Sequence, residues 1–262
     1  MSPAVFVHGN PSTAALWEGL LVELGREDVV CLSPPGFGAP LPGGFDVSPD
    51  GYRDWLVGEL ERMDGPVDLV GHDWGGAHVM GVAMDRPDLL RSWASDAVGV
   101  FHAEYVWHEL ARTWQTPGSG ERHVAGFLGG EPAAVSGRLS ARGVPLAVAE
   151  RIVAGHDPSQ AHAILALYRS AAQPTMARAG ERLAQAAARP GLAVIATGDD
   201  VVGTEAQRRE SAARAGARVA VLERSGHWWP ARYPLRAAGM LRRFWASVDA
   251  LAPAAAGAAA RM

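Results

Sequence analysis

The amino-acid sequence predicts an α/β fold, a mostly parallel sheet with helices on both faces. Three observations predict it. Six short apolar runs recur at helix-length intervals, the pattern of strands buried on both faces and joined by helical crossovers. The third run leads into Gly71-His72-Asp73-Trp74-Gly75-Gly76, a Gly-x-x-x-Gly turn of the kind that passes a strand sharply into a helix. From Phe101 to about Ala177 the rhythm stops, and Trp, His, Arg and Ala dominate without a strand-like run.

In chain order, the runs at 4–7, 29–32, 67–70, 92–95, 192–197 and 218–222 are read as strands, because each is short and apolar. Amphipathic stretches between them predict helices over 13–24, 49–63, 77–86, 205–215 and 234–248. The insertion follows the strand ending near Asp96, at the carboxyl edge of the sheet where open α/β folds bind ligands. It is expected to be a helical cap over the Asp73 turn. The chain divides into a core of 1–100 and 178–250, a cap of 101–177, and an Ala-rich tail of 251–262 expected to be disordered. The first strand begins almost at residue 1, so a shortened N-terminus is expected, with the cap placed after the sixth strand of the usual count.

Bulk properties narrow the function. A chain of 262 residues, 48% of them hydrophobic, supports one α/β core with an insertion. A net charge of -4 gives no reason to expect nucleic acid or an anionic membrane as partner. Cys31 is the only cysteine, so no intrachain disulfide forms. No run reaches the roughly 18 apolar residues of a spanning helix, and the first residues lack a basic segment followed by an apolar one. A cytoplasmic protein is expected. The histidines show no metal-ligand spacing, Gly36-Phe37-Gly38 is too short for a phosphate loop, and no cofactor is expected.

Asp73 occupies the turn position that in a serine hydrolase carries the serine. A carboxylate with an ordinary pKa of about 3.9 is ionised at neutral pH without a base. Attack on an acyl carbon would give a reactive anhydride, whereas attack on a saturated carbon gives an alkyl ester that water can hydrolyse. Asp73 therefore points to displacement at an epoxide or a carbon–halogen bond. Directly after the first strand, His8-Gly9-Asn10-Pro11 is placed to offer backbone N–H groups that, with the N–H of Trp74, would form an oxyanion hole. His227, in Gly226-His227-Trp228-Trp229-Pro230, follows the last apolar run and is expected to activate the water. Its supporting acid is either Asp199, after the fifth run, or Asp96, after the fourth; the order nucleophile, acid, histidine favours Asp199. In the insertion, Tyr168 is placed to donate to an opening epoxide oxygen, and indole N–H groups could instead hold a halide. Trp107, Trp114 and Trp228 are expected to line the pocket of an apolar substrate.

These residues resemble the α/β-hydrolase superfamily, in its epoxide hydrolase and haloalkane or haloacetate dehalogenase branch. The resemblance implies Asp73 as nucleophile, His227 as base and Asp199 as its acid. Trp114-Gln115-Thr116-Pro117-Gly118 looks like the aromatic-Gln-x-Pro-Gly segment of epoxide hydrolase caps, and Leu167-Tyr168-Arg169 is similar to the segment supplying a ring-opening tyrosine. The chain departs in two places: the second cap tyrosine falls near Leu110, with Tyr105 out of register, and Asn10 stands where epoxide hydrolases carry an aromatic. Asn10 and Trp74 look like the halide ligands of haloalkane dehalogenases, and a cap Tyr-Arg is shared with haloacetate dehalogenases. Epoxide opening is favoured, dehalogenation is the alternative, and a non-catalytic ligand-binding protein on the same fold is a third reading. The expected partners are a small apolar substrate and water; the oligomeric state is not legible.

Overall fold

The computed structural model describes residues 2–259, with side chains as far as Leu251. Its sheet has six strands, β1 (Ala4–Val7), β2 (Val29–Leu32), β3 (Val67–Gly71), β4 (Leu90–Ser95), β5 (Gly191–Ala196) and β6 (Arg218–Leu222). All pair in parallel in the order β2-β1-β3-β4-β5-β6. Burial follows position: β1, β3 and β5 are buried throughout, whereas the edge strands β2 and β6 are half-exposed. This is the parallel sheet expected from the apolar runs.

The sheet grows outward in both directions from β1 and β3. Right-handed crossovers on the two sides of such a reversal place their helices on opposite faces. Accordingly α1 (Glu18–Leu24) packs against the last helix, and α2 (Pro49–Leu60) packs against α3 (Trp74–Asp85). Local chemistry sets the helix ends. The Ser48 hydroxyl accepts the Gly51 N–H at 3.1 Å with Pro49 in the first turn, and Gly25 closes α1 in the left-handed conformation at φ 64°.

Register aligns Val7 with Gly71 and Gly71 with Ser95. The residues that follow these three strands therefore leave the sheet side by side, in the crevice where strand order reverses. Six helices occupy the interval between β4 and β5: α4 (Glu109–Gln115), α5 (Ser119–Leu128), α6 (Pro132–Ala141), α7 (Leu146–Ala154), α8 (Gln160–Ser170) and α9 (Thr175–Gly180). Beyond β5 come α10 (Glu205–Arg214), the one-turn α11 (Trp229–Arg232) and α12 (Pro234–Ala259).

The insertion follows the fourth strand of this chain, the place expected for it when the count allows for a shortened N-terminus. Other expectations are corrected. The helix expected over 13–24 is a 3-10 turn, Ala14–Trp17, followed by α1. The helix expected from Ala77 begins at Trp74, since nothing separates the turn from the helix it launches. The backbone of the last helix runs to Ala259, in keeping with the high helix propensity of alanine. Residues 260–262 of the expected tail lie outside the described residues. Among the described residues, no helix is long and apolar enough to cross a membrane.

Close approach under the turn makes Gly75 obligatory: a Cβ there would stand 2.1 Å from the Val7 carbonyl oxygen. Gly75→Ala should lower stability by roughly 1–3 kcal/mol through overpacking. Gly58, inside α2 with open space around it, gives the control, and Gly58→Ala should be neutral or stabilising by roughly 0.4–1 kcal/mol. The denaturation midpoint should fall for Gly75→Ala and hold or rise for Gly58→Ala; an equal fall in both would remove the close-approach account.

Candidate active site

Asp73 sits between β3 and α3 with φ 53° and ψ -127°, a backbone conformation that is strained for a residue with a side chain. The strain is held by hydrogen bonds. Its N–H donates to Asp96 Oδ1 at 2.9 Å, and the other oxygen of Asp96 accepts from His72 Nδ1 at 2.6 Å and Trp229 Nε1 at 2.7 Å. Asp96 is fully buried, and its carboxyl lies below the ordinary value: burial opposes ionisation, but the His72 charge and hydrogen bond, His227 and Trp229 outweigh it.

The Asp73 carboxylate is held on one oxygen. Oδ2 accepts the Asn10 N–H at 2.8 Å, and the Trp74 N–H also donates to the carboxylate. Gly9 permits this, because a Cβ there would stand 2.3 Å from Oδ2. Oδ1 is 3.8 Å from His227 Nε2. One oxygen therefore rests in the expected N–H pocket while the other faces the imidazole. Burial pushes the Asp73 carboxyl above its ordinary value, against the His227 and His72 charges and the two N–H groups that favour the anion.

His227 Nδ1 donates to Asp199 Oδ2 at 2.9 Å, so the partner of the imidazole is Asp199 and not Asp96. The loop after β5 is built for this contact: Val201 N–H donates to Asp199 Oδ1 at 2.9 Å, and the buried Arg208 guanidinium donates to the carbonyls of Ala196 and Asp199 at 2.9 and 3.0 Å. Burial works against the imidazolium, yet Asp199, Asp73 and Asp96 together push the His227 pKa up to about 10. Asp199 falls to about 2, with burial opposing and His227 lowering it.

The insertion supplies the facing walls. Asn10, Asp73, Trp114, Tyr168, His227 and Trp228 line a cavity of about 710 Å³ that also reaches Phe127 and Leu139. On its other side Asp73 borders a chamber of about 10 Å³, walled by Trp74, Val100, Trp107, His108 and Tyr168. Tyr168 is buried beside the Asn10 and Trp74 side chains; burial and the Asp73 charge raise its pKa, so the phenol stays protonated. Gln115 Nε2 donates to the Tyr168 carbonyl at 3.1 Å, and Trp114 meets the Tyr168 ring edge-on at 4.9 Å between centroids. Tyr105 is committed elsewhere, its hydroxyl donating to the Val201 carbonyl at 2.8 Å. Arg169 turns outward to Glu121 at 2.8 Å. The Asn10 side-chain amide is buried without a partner.

Thus Asp73, His227, Tyr168, Asn10, Trp74, Trp107, Trp114 and Trp228 all meet around the two cavities, Asp199 stands behind His227, and Asp96 lies behind the turn. Sequence reasoning missed His108, which lines both cavities, and the indole of Trp229 on Asp96. The only signal for His108 was its place next to Trp107 at the head of a helix in the insertion.

This fold and this strand-to-helix turn define a hydrolase of the α/β class. Residues 4–240 match the Alpha/beta hydrolase family, and the chain belongs to it. It is 30% identical to (E)-2-((N-methylformamido)methylene)succinate hydrolase of Acinetobacter baylyi over 94 residues, 35% of this chain and 36% of that protein. Against Haloalkane dehalogenase 2 of Mycobacterium tuberculosis it is 34% identical over 95 residues, 34% of this chain and 32% of the relative. The chain thus matches about a third of the length of these relatives. Among solved structures, E-2-(acetamidomethylene)succinate hydrolase superposes with a TM-score of 0.71 at 19% identity, covering 93% of this chain and 91% of the other. A haloalkane dehalogenase variant from Bradyrhizobium elkanii gives 0.66 at 20% identity, covering 96% and 91%. At such identities the likeness is one of fold.

The His227–Asp199 pair should leave a pH signature in stability. His227 has its pKa raised, so its contribution is complete below its ordinary 6.5 and is lost as pH rises through about 10. Asp199 is lowered, so its contribution is complete above its ordinary 3.8 and is lost as pH falls through about 2. The melting-point difference between wild type and His227→Gln should therefore be greatest between about pH 4 and pH 6.5 and shrink toward both extremes. A difference constant with pH would contradict the pairing.

Proposed function

We propose that this α/β-hydrolase uses Asp73 as a nucleophile to open an epoxide of an apolar substrate, and His227-activated water to hydrolyse the resulting ester to a diol. The observation that carries this reading is the Tyr168 phenol, buried and kept protonated beside the one acid whose free oxygen faces the imidazole. Asp73 Oδ1 attacks the epoxide carbon, and the ring C–O bond breaks with its electron pair left on oxygen. That oxygen takes the Tyr168 proton. Esterification removes the Asp73 charge, one of the groups holding His227 protonated, so the imidazolium becomes a stronger acid and gives its proton to solvent, recovering one when the carboxylate is restored. The neutral imidazole takes a proton from water and hands it to the departing alcohol oxygen. Water adds to the ester carbonyl, whose oxygen lies where the Asn10 and Trp74 N–H groups already point. Collapse releases the diol and restores the carboxylate, and the proton set free returns to Tyr168. The apolar walls, Trp114, Phe127, Leu139 and Trp228, suit a hydrophobic arm on the substrate.

Dehalogenation is the second reading, favoured by the buried Asn10 amide, which no hydrogen bond of normal geometry satisfies and which with the Trp74 indole approaches Tyr168, and by the haloalkane dehalogenase relative. Arg169 does not support a haloacetate substrate, since it pairs with Glu121 outside the cavity.

His227→Gln should stop the second step and leave the substrate mass on the peptide containing Asp73 in single turnover, and Asp73→Asn should abolish the adduct. Normal turnover in His227→Gln, or label elsewhere, would remove the mechanism; tight binding with no adduct would favour a ligand-binding protein.

Tyr168→Phe separates the two leaving groups, because an alkoxide needs a proton and a halide does not. It should reduce diol formation by roughly 10²–10⁴-fold. If it barely changes turnover while Asn10→Ala eliminates halide release from a brominated substrate, the dehalogenase reading replaces the epoxide one.

A further inference from the structure

Two consecutive residues of the insertion, Trp107 and His108, hold N–H groups that no protein atom accepts. Trp107 Nε1 and His108 Nε2 are both buried and unpartnered, and both residues border the small chamber shared with Asp73 and Tyr168. Buried polar groups are nearly always paired, so an orphan of this kind calls for an acceptor that arrives from outside the chain. The tautomer of His108 follows from its other nitrogen. Nδ1 accepts the Ala111 N–H at 3.3 Å, capping α4, and an imidazole that accepts at Nδ1 carries its proton on Nε2. Burial, with the His227 charge, pushes the His108 pKa down to about 4. The ring is therefore neutral near pH 7 and offers a single fixed donor.

The chamber itself, about 10 Å³, has room for roughly one heavy atom. Ring opening generates one such atom, an oxygen carrying a new negative charge. Tyr168 supplies one donor to it. A second phenol is not on hand, since Tyr105 is spent on the Val201 carbonyl and Leu110 is apolar.

We propose that His108 is a further catalytic residue of ring opening, its Nε2–H hydrogen-bonding the epoxide oxygen as that oxygen becomes an alkoxide beside the Tyr168 hydroxyl. The inference rests on the reading of Asp73 as nucleophile toward an epoxide. His108 transfers no proton: the bond to carbon forms from Asp73, the ring C–O bond breaks onto oxygen, and the proton comes from Tyr168. His108 stabilises the charge in between.

The test uses the full chain carrying His227→Gln, with styrene oxide and 2-phenylethyl bromide as paired probes and the adduct at Asp73 followed by mass against time. Adding His108→Leu should slow adduct formation from styrene oxide on the order of 10²-fold, the usual effect of removing one donor to a developing oxyanion. Adduct formation from the bromide should change by only a few-fold, because bromide leaves as a stable anion. His108→Gln, which keeps a side-chain N–H, should recover much of the epoxide rate. Should the leucine variant not fold, His108→Met repeats the comparison. An unchanged epoxide rate, or an equal fall with both probes, overturns the proposal. No adduct at Asp73 from either probe in the His227→Gln parent overturns the Asp73 reading, and this proposal with it.

Discussion

The Asp96 carboxylate is the contact on which the site depends. It lies just beyond β4, yet it bonds the Asp73 backbone after β3, the His72 ring, and the Trp229 indole two residues past His227. Segments leaving three strands of the sheet, β3, β4 and β6, are thereby tied at one buried charge. A residue in the left-handed region persists only when its surroundings over-determine it, and Asp96 does that for Asp73 from behind while Gly9 and Gly75 leave space in front and below. The arrangement explains why a carboxylate so close to two histidines is not the one that serves His227. Its oxygens already have partners.

Much of the architecture was legible because it depends on local pattern. Apolar runs such as Val67-Asp68-Leu69-Val70 are too short to be helices and too regularly spaced to be loops, and all six became strands. The Gly-x-x-x-Gly spacing around Asp73 was readable because only glycine tolerates backbone at the distances seen at Gly71 and Gly75. The choice between Asp199 and Asp96 rested on chain order alone, and the structure puts Asp199 against His227. What sequence could not carry was the direction of each side chain across the interface of core and insertion. Tyr105 stood near the second expected tyrosine but its hydroxyl faces Val201, and His108 was set aside for lacking metal spacing although a nitrogen of its ring is buried without a partner. Both outcomes depend on packing between segments far apart in the chain, which local pattern does not encode.

The site divides its labour along the fold. The groups that would make and break the ester stand on the ends of strands, where register fixes their separation. Tyr168 and His108, which face Asp73 across the cavities, belong to the insertion, one on α8 and the other capping α4. A change in what the cavity admits can therefore be sought at insertion residues that line it without bonding the Asp199 loop, such as Trp114 and Phe127; Arg169 instead pairs with Glu121.

The bond from Tyr105 to Val201 has a mechanical consequence. Val201 is gripped at both of its backbone polar groups: its N–H holds the Asp199 carboxylate and its carbonyl accepts the Tyr105 hydroxyl from the base of the insertion. Any hinge movement of the insertion that draws on Tyr105 pulls on the loop that steers His227. Core and insertion are thus buttoned together at a single residue that lies in neither the strand nor the helix it joins.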